Sequence, residues 1–141
     1  MGATLATILD LHGRLPTSES ILVFLTGQEE IEACKRTLIE QMNLPTYSNT
    51  TKMEILTLYA AVSYAQQMKV FEPGKPSKRR VILSTNIAET SVTIPGIKHV
   101  IDPGKVKQKN YHPGSGASFM TDRMIVARFT VGYSVTIRIN S

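Results

Sequence analysis

Apolar residues along this chain fall into short blocks whose spacing switches between helical and strand-like. Leu5, Ile8, Leu9 and His12 recur at helical spacing over residues 3–12, and Gly13 is placed to end that helix. After a loop at Leu15-Pro16-Thr17-Ser18, the run Ile21-Leu22-Val23-Phe24-Leu25 is apolar on both faces. A central parallel strand covered by helices on each side has that pattern. Thr26 and Glu29 then match a capping box for a helix reaching about Met42, with Ile31, Cys34, Leu38 and Met42 on one face. Asn43 to Lys52 is polar and turn-rich. Ile55 to Tyr59 reads as the next strand, and Ser63 with Gln66 caps a second helix that aligns Tyr64, Met68 and Phe71. A Pro/Gly turn over residues 72–77 leads through Lys78-Arg79-Arg80 into Val81-Ile82-Leu83, a buried strand, and Ile97 to Ile101 reads as another.

The order strand, helix, strand, helix, strand, polar crossover, strand predicts an α/β fold with a mostly parallel sheet and helices on both faces. Residues 1–116 form that unit. Residues 117–141 read as a tail with one β-strand. Phe129, Val131, Tyr133, Val135, Ile137 and Ile139 alternate there with Thr130, Gly132, Ser134, Thr136, Arg138 and Asn140. Such a strand either pairs with the sheet edge or hangs exposed.

The crossover is the most polar part of the core region. Ser84, Thr85, Asn86, Thr90, Ser91 and Thr93 bring hydroxyl or amide groups with little bulk between two apolar strands. A polar segment leaving the carboxyl end of a buried strand is where an open α/β sheet binds ligands. Local capping by the same side chains is the alternative. The amino end of the helix capped at Thr26 offers backbone N–H groups to a phosphate, and Gly27 permits close approach. Glu29 and Glu30 favour the helix dipole but repel phosphate.

Composition narrows the class. The 141 residues carry a formal charge of +5, which favours a polyanionic partner without requiring one. Cys34 is the only cysteine, so no intramolecular disulfide forms and a reducing compartment is the simpler expectation. The start lacks the basic and apolar segments of a signal peptide, and no apolar run is long enough to span a membrane. Lys78-Arg79-Arg80 is the densest positive run, expected as a solvated loop that adds attraction for a polyanion. Lys105, Lys107 and Lys109 share a strand face, which suits either phosphate attraction or protection of an edge. His12 reads as a helix-end residue, because no second ligand stands near it at metal spacing.

Two stretches add a resemblance. STNIAETSVTIPGI (Ser84 to Ile97) looks like motif V of the DEAH-box RNA helicases, and ILVFLTGQEEIE (Ile21 to Glu32) looks like their motif IV. The similarity runs from about Ser20 to Gly116 and is to the second RecA-like domain of that family. It implies RNA-backbone contacts at Thr26, Gly27, Thr85 and Asn86, and nucleotide contacts at Ser91 and Thr93. Phe71-Glu72-Pro73 matches an aromatic step that stacks on the base, whereas the residue pattern alone makes Phe71 a core residue. The resemblance further implies ATP and Mg2+ in an intact helicase, RNA as partner, a first RecA-like domain completing the nucleotide cleft, and an intracellular site in nucleus or cytoplasm.

Three departures qualify that expectation. Pro95 stands where the family commonly has an aspartate facing the nucleotide ribose, and proline has no side-chain oxygen to offer. Resemblance fades after Gly116, before the motif that supplies an arginine finger, a group worth roughly a thousandfold in turnover. The chain also has no GxxxxGK[ST] loop and no DEAH sequence, the elements that hold the phosphates and Mg2+. It therefore looks like a fragment or truncated isoform of an ATP-dependent RNA helicase, not expected to turn over ATP by itself. The other readings are a non-enzymatic RNA-binding or regulatory module and a non-functional product whose terminal strand hinders folding. No residue is assigned as a catalytic group or metal ligand.

Overall fold

A computed structural model of the chain describes residues 2–75, 77–85, 90–94, 97–102, 118–121, 124–128 and 135–139; from 90 to 94 and from 118 onward the description is of backbone pairing. In chain order the helices are α1 (Gly2–Arg14), α2 (Gln28–Met42) and the short α3 (Tyr64–Met68). The strands are β1 (Ser20–Leu25), β2 (Lys52–Leu58), β3 (Lys78–Thr85), β4 (Thr90–Ile94), β5 (Ile97–Asp102), β6 (Ser118–Thr121), β7 (Met124–Arg128) and β8 (Val135–Ile139). Asn86, Pro95, Lys105, Lys107 and Lys109 lie outside the described residues.

The all-apolar run takes the central place that its pattern predicts. β1 sits between β3 and β5 in a six-stranded sheet of order β2-β3-β1-β5-β7-β6. The first four strands in that order run parallel, and β7 and β6 complete the sheet antiparallel. Alternation along each strand divides the core between two faces. Ile21, Val23, Leu25, Val81, Leu83 and Ile101 pack with Ile8 and Leu11 of α1 and Ile31, Cys34 and Leu38 of α2. On the other face Leu22, Phe24, Leu58, Ile82, Ile97 and Val100 pack with Val70 and Phe71, which follow α3. Burying each such aliphatic side chain stabilises the fold by roughly 1.5–3 kcal/mol.

Charge placement differs from the sequence expectation. Lys78-Arg79-Arg80 is not a solvated loop but the first part of β3, and Arg79 is only 1% exposed. The guanidinium has five N–H donors, and all five find acceptors. Nε donates to His12 Nδ1 at 3.3 Å, and Nη2 donates to the carbonyls of His12 and Leu15. Nη1 donates to the carbonyls of Pro16 at 2.6 Å and Glu19 at 2.5 Å. Arg80 is held by Glu54 Oε1 at 2.9 Å and by the Glu72 carbonyl at 2.5 Å. Both cations are thus engaged inside the chain. His12 is buried rather than a simple helix-end residue, because its ring joins Arg79 to the Thr51 carbonyl.

Other boundaries moved for local reasons. α1 runs through Gly13 to Arg14. β2 begins at Lys52, three residues earlier than its apolar block, because Lys52, Met53 and Glu54 pair in register with Lys78, Arg79 and Arg80. α3 is five residues long and leaves Tyr64 exposed, so only the Met68 and Phe71 end of the predicted face turns inward. The segment after Gly116 carries three strands where one was expected: β6 and β7 extend the main sheet, and β8 pairs antiparallel with β4. The crossover is correspondingly part strand, since Thr90–Ile94 forms β4.

Candidate functional site

Parallel strands send all their carboxyl ends to one edge of the sheet, and β1 and β3 are neighbours there. Their ladder ends with Leu25 opposite Thr85. Thr26 and Gly27 therefore leave the sheet beside the strand end that carries Thr85. Ser84 is fully buried, and its hydroxyl donates to the Thr85 carbonyl at 2.8 Å. That bond uses Ser84 locally. Thr85 is half-buried, and its hydroxyl has no partner among the described residues.

The predicted capping box does not form. Gly27, not Thr26, is the cap residue of α2, and no side chain caps that end. With the cap one position later, Glu30 stands three residues beyond it, and the Thr26 hydroxyl donates to Glu30 Oε2 at 3.1 Å. Gly27 has φ −174° and ψ −179°, extended backbone that any residue adopts. A Cβ built there would meet no atom within 4 Å. Among the described residues nothing requires glycine at that position. The first helical bond of α2 runs from the Ile31 N–H to the Gly27 carbonyl at 3.0 Å, so the preceding amides lie at the open amino end. Tyr59, one residue past β2, fastens α2 across this edge by donating to Glu32 Oε1 at 2.6 Å. The Glu32 carboxylate raises the Tyr59 pKa, with burial adding to the effect.

Phe71 is not at this edge. It is half-buried beside a cleft of about 390 Å3 that is also lined by Thr17, Ser18, Ser20, Lys75, Lys78 and Ile97. Ser20, Lys78 and Ile97 are the first residues of β1, β3 and β5, so this cleft opens at the amino ends of the strands. Ser91 and Thr93 lie on β4, opposite Arg138 and Thr136 of β8, in a two-stranded ribbon separate from the main sheet. The structure thus brings Thr26, Gly27 and Thr85 together, sets Phe71 at the opposite end of the strands, and carries Ser91 and Thr93 on a separate ribbon. Sequence reasoning missed the cleft and Lys75, and singled out Lys78 only as part of a positive run. Their partners in its wall come from residues 17–20, and no local pattern announces that meeting. Among the described residues, no group of three or more His, Cys, Asp or Glu side chains could hold a metal ion. No described helix is long and apolar enough to cross a membrane.

A parallel sheet with helices on both faces and a polar crossover leaving β3 defines an incomplete RecA-like α/β domain. The chain belongs to the helicase conserved C-terminal domain family, whose model matches residues 3–114. Over 115 residues it is 50% identical to the ATP-dependent RNA helicase DHX33 of Homo sapiens, which covers 81% of this chain and 16% of that protein. Identity and coverage are the same for pre-mRNA-splicing factor ATP-dependent RNA helicase DEAH10 of Arabidopsis thaliana. The DHX33 helicase of Drosophila melanogaster is 44% identical over 112 residues, covering 79% of this chain and 16% of the relative. The chain therefore spans about a sixth of the length of the curated relatives it matches.

Proposed function

We propose that this domain is the second motor domain of a DEAH-box RNA helicase and that the β1–β3 edge holds RNA by its backbone. The parent reaction is ATP hydrolysis coupled to RNA unwinding or remodelling. The observation that carries the reading is the Leu25–Thr85 register, which sets the small donors of two neighbouring strand ends side by side. Thr26 and Gly27 contact one part of a sugar-phosphate track, and Thr85 with Asn86 the next. The open space at Gly27 supports this, because a glycine that no described residue crowds leaves room for a backbone to come close. Contacts from amides and hydroxyls to phosphate position RNA without reading sequence.

Phe71, Ser91 and Thr93 form the nucleotide side of the proposal. The partly exposed Phe71 ring, with Lys75 and Lys78 near it, suits a planar base with anionic groups. The described donor set does not suit Mg2+, for want of clustered carboxylates. ATP and its metal are therefore assigned to a cleft shared with a first motor domain, and this chain supplies positioning, not a base or nucleophile. We assign the work to an intracellular site, nucleus or cytoplasm.

The test is single-stranded RNA binding against salt. Displacing counterions from about three phosphates predicts a log–log slope near −2. A flat response removes the groove. RNA-stimulated ATPase activity of the purified chain then separates two roles. Little or no turnover with RNA binding intact marks a non-enzymatic RNA-binding or regulatory module, and robust turnover refutes the assignment of phosphate chemistry to another domain.

A further inference from the structure

We propose that residues 15–19 are an acid-released latch at the amino ends of β1 and β3: a proton on His12 frees Arg79, and with it the cleft wall formed by Thr17 and Ser18. Arg79 Nε–H must find a lone pair on His12 Nδ1, 3.3 Å away. The ring proton therefore sits on Nε2, which donates to the Thr51 carbonyl at 2.8 Å. Only Nδ1 can take a second proton. That proton removes the acceptor and sets a second cation against the guanidinium in a buried site. Four further bonds from the same guanidinium hold the carbonyls of His12, Leu15, Pro16 and Glu19. Displacing one side chain thus removes all four of these bonds at once and leaves the segment held by the weaker Thr17–Thr51 hydroxyl contact at 3.3 Å and by Leu15 packing.

The surrounding charges set the direction. Burial lowers the His12 pKa and the Arg79 charge adds to this, while the Thr51 bond opposes it. Glu19, in the latch itself, favours the guanidinium. His99 of β5 has Nε2 3.4 Å from Glu19 Oε2, a pairing that protonation strengthens. On His12's own helix, Asp10 and Arg14 pair with each other in solvent at 2.7 Å. The latched state keeps His12 neutral, and the released state gives it an ordinary pKa near 6.5. The latch is therefore at full strength above about pH 6.5 and weakens as pH falls, by up to about tenfold per unit. The inference is independent of what the cleft binds.

Amide hydrogen exchange of the full chain between about pH 5 and 7.5, corrected for intrinsic exchange, tests it. The reporters are the Leu15 and Glu19 amides, bonded to the Leu11 and Pro16 carbonyls. Their protection is expected to be constant above about pH 6.5 and to fall up to about tenfold per unit below it, while the β1 amides stay protected. His12→Asn, whose side-chain oxygen accepts from Arg79 without titrating, should abolish the fall, and His99→Gln should retain it. A flat wild-type profile, a fall that survives in His12→Asn, one lost in His99→Gln, or parallel loss in β1 overturns the latch. If His12→Asn does not fold, ring nitrogen shifts of the wild type decide. A neutral Nε2–H ring at pH 6.5 supports the proposal, and half-protonation at or above that pH overturns it.

Discussion

The two ends of β3 carry polar residues of opposite use. At its start, Arg79 and Arg80 are buried, and all five Arg79 donors and two of Arg80 are engaged by carbonyls, a histidine and a carboxylate of the same chain. At its end, about 20 Å away at 3.3 Å per residue, Thr85 is half-buried with no hydroxyl partner among the described residues. Charge density is thus a poor guide to the proposed binding edge here. The strongest cations hold the fold, and the weak dipoles are the groups left for a partner. Arg79, buried and fully bonded inside, has nothing to offer a phosphate, whereas small donors on an open edge do.

The comparison breaks or sharpens in order of expected size. Arg79→Met strips donors from four carbonyls and the His12 ring. Removing one partner of such a buried arrangement costs roughly 3–5 kcal/mol, which urea unfolding will show as a lower midpoint. The Cys34 thiol gives a second readout. Burial pushes its pKa up to about 11, with Glu30 adding to the effect, so it should resist alkylation at pH 8 in the native chain and react faster in that variant. Glu54→Gln leaves the buried Arg80 without its carboxylate and should lower stability by about 1–2 kcal/mol, again by urea unfolding, with RNA affinity unchanged.

At the other end the effects should move from stability to binding. Thr85→Ala is expected to weaken RNA affinity about fivefold, the worth of one hydrogen bond near 1 kcal/mol, with a small change in unfolding midpoint. Unfolding of that variant would make Thr85 a local cap instead. Gly27→Ala has the smallest expected effect on the fold, below about 1 kcal/mol, because its Cβ enters open space. It should still lower RNA affinity in a filter-binding titration. Unchanged affinity would remove close backbone approach at that position.

Much of this architecture was legible before any coordinates. Ile21–Leu25 and Val81–Leu83 announced central strands because both their faces are apolar, and the Ile31, Cys34 and Leu38 spacing announced the α2 face. The site was legible only as composition. Thr26, Gly27 and Thr85 read as small donors, but their adjacency depends on β3 inserting between β2 and β1, a long-range fact that no local period encodes. The Arg79–His12 contact was hidden for the same reason, since 67 positions separate the partners. Sequence spacing also put the α2 cap at Thr26. The backbone put it at Gly27, where the helix begins once Leu25 has ended its ladder.

That insertion has a kinetic consequence. β1 and β3 become neighbours only after about sixty intervening residues have been looped out and packed, so their contact is among the costliest closures in chain entropy. A nascent chain ending at Phe71 already contains Thr26 and Gly27 but lacks the strand that lies alongside them. Affinity for RNA should therefore appear late and abruptly during refolding, as a reporter of completed assembly.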